Sequence, residues 1–487
     1  MIRSDDVGAR RQREIKKAGY SQVNEQVQSL ANQTGKNVVL LAVMLGAFLT
    51  PFTGSAINVA LPAIGAELSM DAVLMGWVST AYLLAAAAFL VPFGRLADIV
   101  GRKKIFQIGI GIDLVASLLC TVAPSGEWLI AFRALQGFGS ALMFASSTAI
   151  LTAVFPVNER GRALGMNAAS AYVGLSVGPL VGGLVTEHFA WQGAFVINAF
   201  VDCLITALVW FRFKGEWAEA RGEKYDVVGA LLCCIGIGIL IYAFSSLAEV
   251  RGLVLLPAAV VILWVFVRWE SRQPLPVMNI AAFRQNPGFI LSNLAALASY
   301  SATFSSGFLL SLYLQYIGGY SAAYAGLILV IQPVVMVITS PVAGSLSDRV
   351  EPRVVASLGM LLTVIGLSML VFLDANVSLP LVIAAQVVLG AGFGFFSSPN
   401  TNSVMSALPA KFRAVASGTL GTMRLTGQAL SQGIVVLLLS LFIGRADITP
   451  ANHGAFLQAM IATFIVSALL CGAGIVASVS RGNRIKH

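Results

Sequence analysis

Four charged side chains stand deep inside long apolar stretches of this 487-residue sequence: Asp113, Arg133, Asp202 and Arg424. An arginine among apolar neighbours is costly and is kept where it faces a cavity or a partner. Arg133 and Arg424 are therefore candidate binding groups, with satisfaction of backbone carbonyls as the alternative for Arg424. Gln136 follows Arg133 by three positions and shares its helical face. For a carboxyl, burial and a second nearby acid both favour the protonated form, which is what a proton carrier needs. Asp113 and Asp202 are candidates for proton coupling, or else are structural acids bonded to a local hydroxyl or backbone group. Other chemistry has no support. There is no loop with nucleotide-binding spacing, no paired histidine ligands and no catalytic triad, and the three histidines (His188, His453, His487) lie at the ends of apolar stretches or in the tail. The five cysteines all fall inside apolar stretches, where small buried side chains are expected rather than a disulfide framework or a metal site. No enzyme activity, cofactor or metal is expected.

The composition says what must carry these residues. The chain is 57% hydrophobic and 11% charged, whereas a soluble domain carries about 25% charged residues. Apolar runs long enough to cross a bilayer recur at 38–62, 73–93, 105–123, 128–155, 164–186, 191–211, 227–247, 252–268, 289–317, 323–343, 354–373, 380–406, 414–443 and 454–479. The expected fold is an all-α integral membrane protein with fourteen transmembrane helices. Asp113 in span 3 and Asp202 in span 6 then both lie roughly 14–17 Å deep, near the midplane, at about 1.5 Å per residue.

The net charge of +9 encodes topology rather than affinity for nucleic acid. With the N-terminus inside, Arg251 and Arg445 lie on the outer side, Arg133 and Arg424 lie in spans, and every other Lys and Arg falls on the cytoplasmic side. This is the positive-inside asymmetry, and an even number of spans puts both termini in the cytoplasm. No secretory leader is expected. No segment outside the membrane is long enough for a folded domain. The expected organisation is a cytoplasmic tail 1–36, a six-helix bundle 37–215, two linker helices within 225–270, a second six-helix bundle 285–480 and a tail 481–487.

Short stretches repeat in order between the halves. GRLAD (94–98) leaves span 2 and GSLSD (344–348) leaves span 10; QGFGSALMFASS (136–147) in span 4 parallels GAGFGFFSSPN (390–400) in span 12; ERGRALG (159–165) and KFRAVASG (411–418) follow. Internal repeats of this kind mark secondary transporters. With GRLADIVGRKK (94–104), RALQGFG (133–139), INVALP (57–62), RLTGQALSQG (424–433) and the glycine-rich GMNAASAYVGLSVGPLVGG (165–183), the chain resembles the major facilitator superfamily, and within it the fourteen-helix drug:proton antiporter branch, from about residue 38 onward.

The resemblance implies two bundles rocking about a central site. It implies that Gly94, Asp98, Gly101 and Arg102, with Lys103, latch the two bundles in the outward-facing state. In span 5 it implies an antiporter motif (Gly165, Gly174, Gly178, Pro179, Gly182, Gly183) that packs against the opposite bundle and seals one face. Three of those glycines, 174, 178 and 182, repeat every four residues along one helical face, which permits close helix approach. In one respect the chain departs from the branch: Thr53 stands where an aspartate usually precedes Asn58, so the usual proton seat is empty. Thr53, Asn58, Arg133, Gln136 and Arg424 are the candidate cavity residues, and Asn293, Tyr300, Phe304, Tyr313, Gln315, Gln332, Gln386, Asn400 and Asn402 are further polar or aromatic candidates or helix–helix contacts. The expected activity is export of small hydrophobic or cationic organic compounds in exchange for protons. A facilitator or symporter of an organic anion is the alternative, and a receptor without transport a third. The expected setting is the bacterial-type inner (plasma) membrane, with substrate, protons and lipid bilayer as partners and no nucleic acid, as a monomer.

Overall fold

A computed structural model describes residues 35–213, 215–278, 280, 286–408 and 413–481. Both tails of the expected organisation, apart from residues 35, 36 and 481, lie outside the described residues. Fourteen helices are long and apolar enough to cross a membrane. They are α1 (Lys36–Leu68), α2 (Ala72–Val100), α3 (Arg102–Thr121), α4 (Gly126–Val154), α5 (Val157–Phe189), α6 (Gln192–Arg212), α7 (Val227–Ser245) and α8 (Val250–Glu270). The second set is α9 (Pro287–Ile317), α10 (Ala322–Arg349), α11 (Pro352–Leu370), α12 (Leu379–Ala407), α13 (Arg413–Phe442) and α14 (His453–Val479).

The packing repeats across the chain. In the first half α1 lies on α5, α2 on α4, and α3 on both α4 and α6. In the second half the corresponding pairs meet: α9 on α13, α10 on α12, and α11 on both α12 and α14. The halves touch along α2–α13 and α5–α10, contacts that exchange under the same correspondence. Helices α7 and α8 pack on each other beside α2 and α13. Only 17% of the apolar window of α8 is buried, so most of its surface is left for lipid.

Small residues make the closest approaches. A Cβ on Gly174 would meet the Phe48 carbonyl, one on Gly178 the Phe52 carbonyl and Ser55, and one on Gly182 the Ala56 backbone. Both helices thus advance in steps of four, α5 along its glycines and α1 along residues 48, 52 and 56. Helix α9 is broken at Phe304–Ser305 and ends in a π-helical turn, Tyr313–Ile317. The Ser305 amide freed by the break donates to Ser431 Oγ of α13 at 3.0 Å, as a backbone donor in an apolar layer requires.

In the topology assigned by the basic residues, the halves are joined at their outer ends. Gln315 Nε2 donates to the Val59 carbonyl at 3.0 Å, the Ala323 amide to Glu187 Oε2 at 3.0 Å, and the Ala72 amide to the Ala446 carbonyl at 3.4 Å. Gly183 abuts Ala322 and Ala323, and Gly326 abuts Pro179. At the inner ends Gly94, Gly161, Gly165 and Gly418 have open space where a side chain would begin. The molecule is closed outside and parted inside.

Candidate substrate cavity and buried acid pair

Between the halves lies a cavity with a volume of about 140 Å³. α1 lends Thr50 and Asn58, α2 Tyr82, α4 Arg133, and α5 Tyr172 and Pro179; the second half lends Tyr300, Phe304, Gln332, Gln386, Phe393, Arg424 and Gln428. Two arginines line it, and among the described residues no Asp, Glu, Lys or His does. Of the sequence candidates, Asn58, Arg133, Arg424, Tyr300, Phe304, Gln332 and Gln386 are on its wall. Others are not. Tyr313 donates to the Asp374 carbonyl, Asn293 to the Phe289 carbonyl of its own helix, and Gln315 to Val59 across the outer seam. Gln136, Asn400 and Asn402 are also absent from the wall. Tyr172 and Phe393 line it although the sequence does not single them out.

Arg133 is buried and its bonds are satisfied within the first half. Its Nε donates to the Val78 carbonyl at 3.2 Å, its Nη1 donates to Gln136 Oε1, and its guanidinium lies 4.3 Å from the Tyr82 ring centroid. Arg424 is freer. None of the ion pairs among the described residues includes it, and its guanidinium carbon lies 5.7 Å from the Tyr300 ring centroid.

Behind the first-half wall lies a buried polar cluster. Gly109 and Gly139 let α3 and α4 touch: a Cβ on Gly139 would stand 2.8 Å from the Asp113 amide nitrogen. That contact brings Ser140 onto Asp113, and Ser140 Oγ donates to Asp113 Oδ1 at 3.1 Å. From α6, the Asn198 amide nitrogen lies 2.8 Å from Asp113 Oδ2, 3.1 Å from Asp202 Oδ2 and 2.8 Å from Ser117 Oγ. Thr53 Oγ1 donates to Asn198 Oδ1. Asp113 and Asp202 are therefore neighbours joined through one amide, and Thr53, in place of the usual acid, reaches both through that same amide. Asp202 Oδ1 has no partner and the residue is fully buried. Among the described residues no Lys, Arg or His forms an ion pair with either acid.

Two chains of hydrogen bonds run from the cavity wall to the pair. Tyr82 donates to Ser140 Oγ at 2.9 Å, and Ser140 donates to Asp113. Arg133 donates to Gln136, whose Nε2 donates to Ser117 Oγ at 2.9 Å; Ser117 in turn donates to the Asp113 carbonyl at 2.7 Å. Tyr82, Ser117, Ser140 and Asn198 escaped the sequence reading. Ser117 and Asn198 each lie four residues from one of the acids, and that spacing was the only signal.

The loop between α2 and α3 has partners other than those the resemblance implies. Arg102 Nη2 pairs with Asp98 Oδ1 at 2.7 Å and its Nη1 with Glu219 Oε1 at 2.8 Å. Glu216 accepts from the Lys103 and Lys104 amides at 2.8 and 3.0 Å, Lys103 Nζ donates to the Phe213 carbonyl at 2.7 Å, and Glu223 pairs with Arg95. Gly101, at φ +127°, leaves the space that the Glu216 carboxyl fills. Among the described residues, Asp98 and the acids of the α6–α7 connection hold the cations of this loop; the latch across the bundle interface belongs to the outward-facing state that the resemblance implies. The span-5 motif also divides. Gly174, Gly178 and Gly182 pack on α1 of their own half, only Gly183 and the Pro179 carbonyl face α10, and Gly165 faces open space. Span 5 thus meets the opposite bundle through Gly183 and the Pro179 carbonyl, while its four-residue glycine face packs on α1.

Comparison with known proteins adds the following. A family model described as Major Facilitator Superfamily matches residues 43–431 and, in a second match, 291–481. The riboflavin transporter RibZ of Clostridioides difficile is 27% identical over 445 residues, covering 91% of this chain and 97% of RibZ. The tetracenomycin C resistance and export protein of Streptomyces glaucescens is 29% identical over 419 residues, covering 84% of this chain and 77% of that protein. A solved bacterial homologue of the human lysosomal transporter Spinster, inward-facing and unoccupied, superposes with a TM-score of 0.63 at 20% identity over 91% of this chain and 96% of that one.

Proposed function

The chain belongs to the major facilitator superfamily, and from that premise we propose that it exports small organic compounds in exchange for protons by alternating access. Membership makes it a multi-pass membrane transporter rather than an enzyme, and relatives include a protein named for resistance and export. The observation that carries the exchange is the hydrogen-bonded path from the cavity wall, through Tyr82 and Ser140, to the buried Asp113–Asp202 pair. A carrier must load its proton from the space that also holds substrate, and this path joins the two. Asp113 and Asp202 are the proton seat, two hydrogen bonds from position 53 by way of Asn198.

The charge of the cavity changes the substrate half of the expectation. Two arginines without a lining acid repel cations at close range, so neutral and anionic compounds replace cationic ones as the proposed cargo. The same observation favours the second reading, an organic-anion facilitator without proton exchange. Flux of a panel of neutral, anionic and cationic dyes, with riboflavin included because of RibZ, separates them in proteoliposomes with and without a pH gradient. Exchange predicts gradient-driven flux that Asp113→Asn and Asp202→Asn abolish. Flux indifferent to the gradient, or unchanged in both variants and the double variant, overturns it. Both termini are placed in the cytoplasm on the charge distribution, and the protein is taken to act as a monomer.

A further inference from the structure

Gln386 is fully buried on the cavity wall, yet neither its amide nitrogen nor its amide oxygen has a hydrogen-bond partner. An amide left unpaired in an apolar layer is expensive, and of the two fully buried glutamines with both amide atoms unpaired among the described residues, Gln386 and Gln432, Gln386 is the one on the cavity wall. It lies on α12 seven residues before Phe393, hence on the same face and roughly 10 Å along the axis. Phe393 meets Tyr300 edge to face at 5.4 Å between centroids. Tyr300 in turn carries the unpaired Arg424 guanidinium 5.7 Å from its ring. Three helices thus contribute an orphan amide, an aromatic pair and a free cation to one cavity that holds no acid.

From this arrangement we infer that the second half of the cavity is a subsite for planar aromatic anions that carry a lactam or imide edge. The anionic group, a carboxylate or its equivalent, takes the Arg424 fork, which offers paired donors that a point cation does not. The ring stacks on one of this aromatic pair and meets the other edge-on, since the two rings stand at 71° to each other. The lactam N–H donates to Gln386 Oε1 while its C=O accepts from Gln386 Nε2, satisfying both orphan atoms at once. Arg133 does not compete for the anion, because Gln136, the Val78 carbonyl and the Tyr82 ring already occupy it. The inference rests on the cavity being the transport site, and it names the cargo's chemistry rather than its coupling.

The test is equilibrium binding to purified protein in detergent, with no gradient, of 2-oxo-1,2-dihydroquinoline-4-carboxylate and three comparators. These are its methyl ester (charge removed), its N-methyl lactam (donor removed) and ethidium (a planar cation). The acid is expected to bind about tenfold more tightly than either the ester or the N-methyl lactam, the scale set by one charge-assisted or one buried hydrogen bond, and ethidium weakest. Arg424→Gln should erase only the acid-over-ester ratio, and Gln386→Leu only the preference for the free lactam. Each ratio is read within one variant, so a general loss of folded protein cancels. Binding that prefers ethidium, failure of all four probes to bind, or variants that leave both ratios as in the wild type overturns the inference, the last being the result if Gln386 merely holds water. Asp113→Asn that loses gradient-driven flux but keeps the binding ratios shows coupling and ligand chemistry to be separable. Lost ratios with intact gradient-driven flux count against the subsite alone.

Discussion

At the scale of single residues, the function rests on groups whose partners lie on other helices. Asp113 and Asp202 could be read from the sequence because an acid in an apolar run stands out and its depth follows from residue count. Asn198, which joins them to each other and to Thr53, was not legible, since one polar residue in a span looks the same whether it is a hub or a helix–helix contact. Ser140 gives the sharpest check on the relay. It lies behind the cavity wall, accepting from Tyr82 and donating to Asp113. Ser140→Ala should cost about 1 kcal/mol of stability and leave the affinity of the quinoline carboxylate within about twofold, while gradient-driven flux falls about a hundredfold, at the low end for a positioned proton-transfer group. Tyr82→Phe removes the same chain's first donor but keeps the ring under Arg133, so it should move the pH profile of flux in the same direction as Ser140→Ala. Wild-type flux in both variants would make the chain a packing feature.

At the scale of the helices, all fourteen spans were legible because an apolar run of bilayer length admits few alternatives, and the described boundaries differ from the expected ones by a few residues. What each face touches was less legible. The four-residue glycine step of α5 correctly announces a close helix contact, but the same pattern serves a partner in either half. The structure assigns Gly178 and Gly182 to α1 and Gly183 to α10, so substitutions should separate into two classes. Gly178→Leu or Gly182→Leu forces a side chain into α1 backbone and should destabilise the first half by about 3 kcal/mol or more, at or above the usual overpacking cost, visible as a lowered unfolding temperature and poor yield. Gly183→Leu lies at the seam between halves, where the obstruction is relieved by opening the outer end. It should leave unfolding temperature nearly unchanged and still stop flux. Equal thermal losses at all three positions would mean that the seam is as permanent as the α1–α5 contact.

At the scale of the molecule, the repeated pairing of helices and the two cross-half seams describe a structure with one stable closure at the outer end and cations held away from the seam at the inner one. The two repeated halves were legible in the short motifs that recur in order along the chain; which end of the seam is bonded was not, because the same residues must serve every state of a transport cycle. In this state Arg102 is held by Asp98 and Glu219, beside an inner seam left open at Gly94 and Gly418. Transport requires the outer bonds to break once per cycle, including the one from the Ala323 amide to Glu187. A short bis-maleimide bridge between Glu187→Cys and Ala323→Cys, made after the accessible Cys203 and Cys234 are changed to serine, should fix the outer closure. The bridged protein should then lose nearly all flux while the quinoline carboxylate still binds through the parted inner end with unchanged affinity, because a ligand equally accessible in the locked state pays no conformational cost. Flux that survives bridging would mean that the outer seam does not open during transport, and the alternating-access reading of this geometry would fall with it.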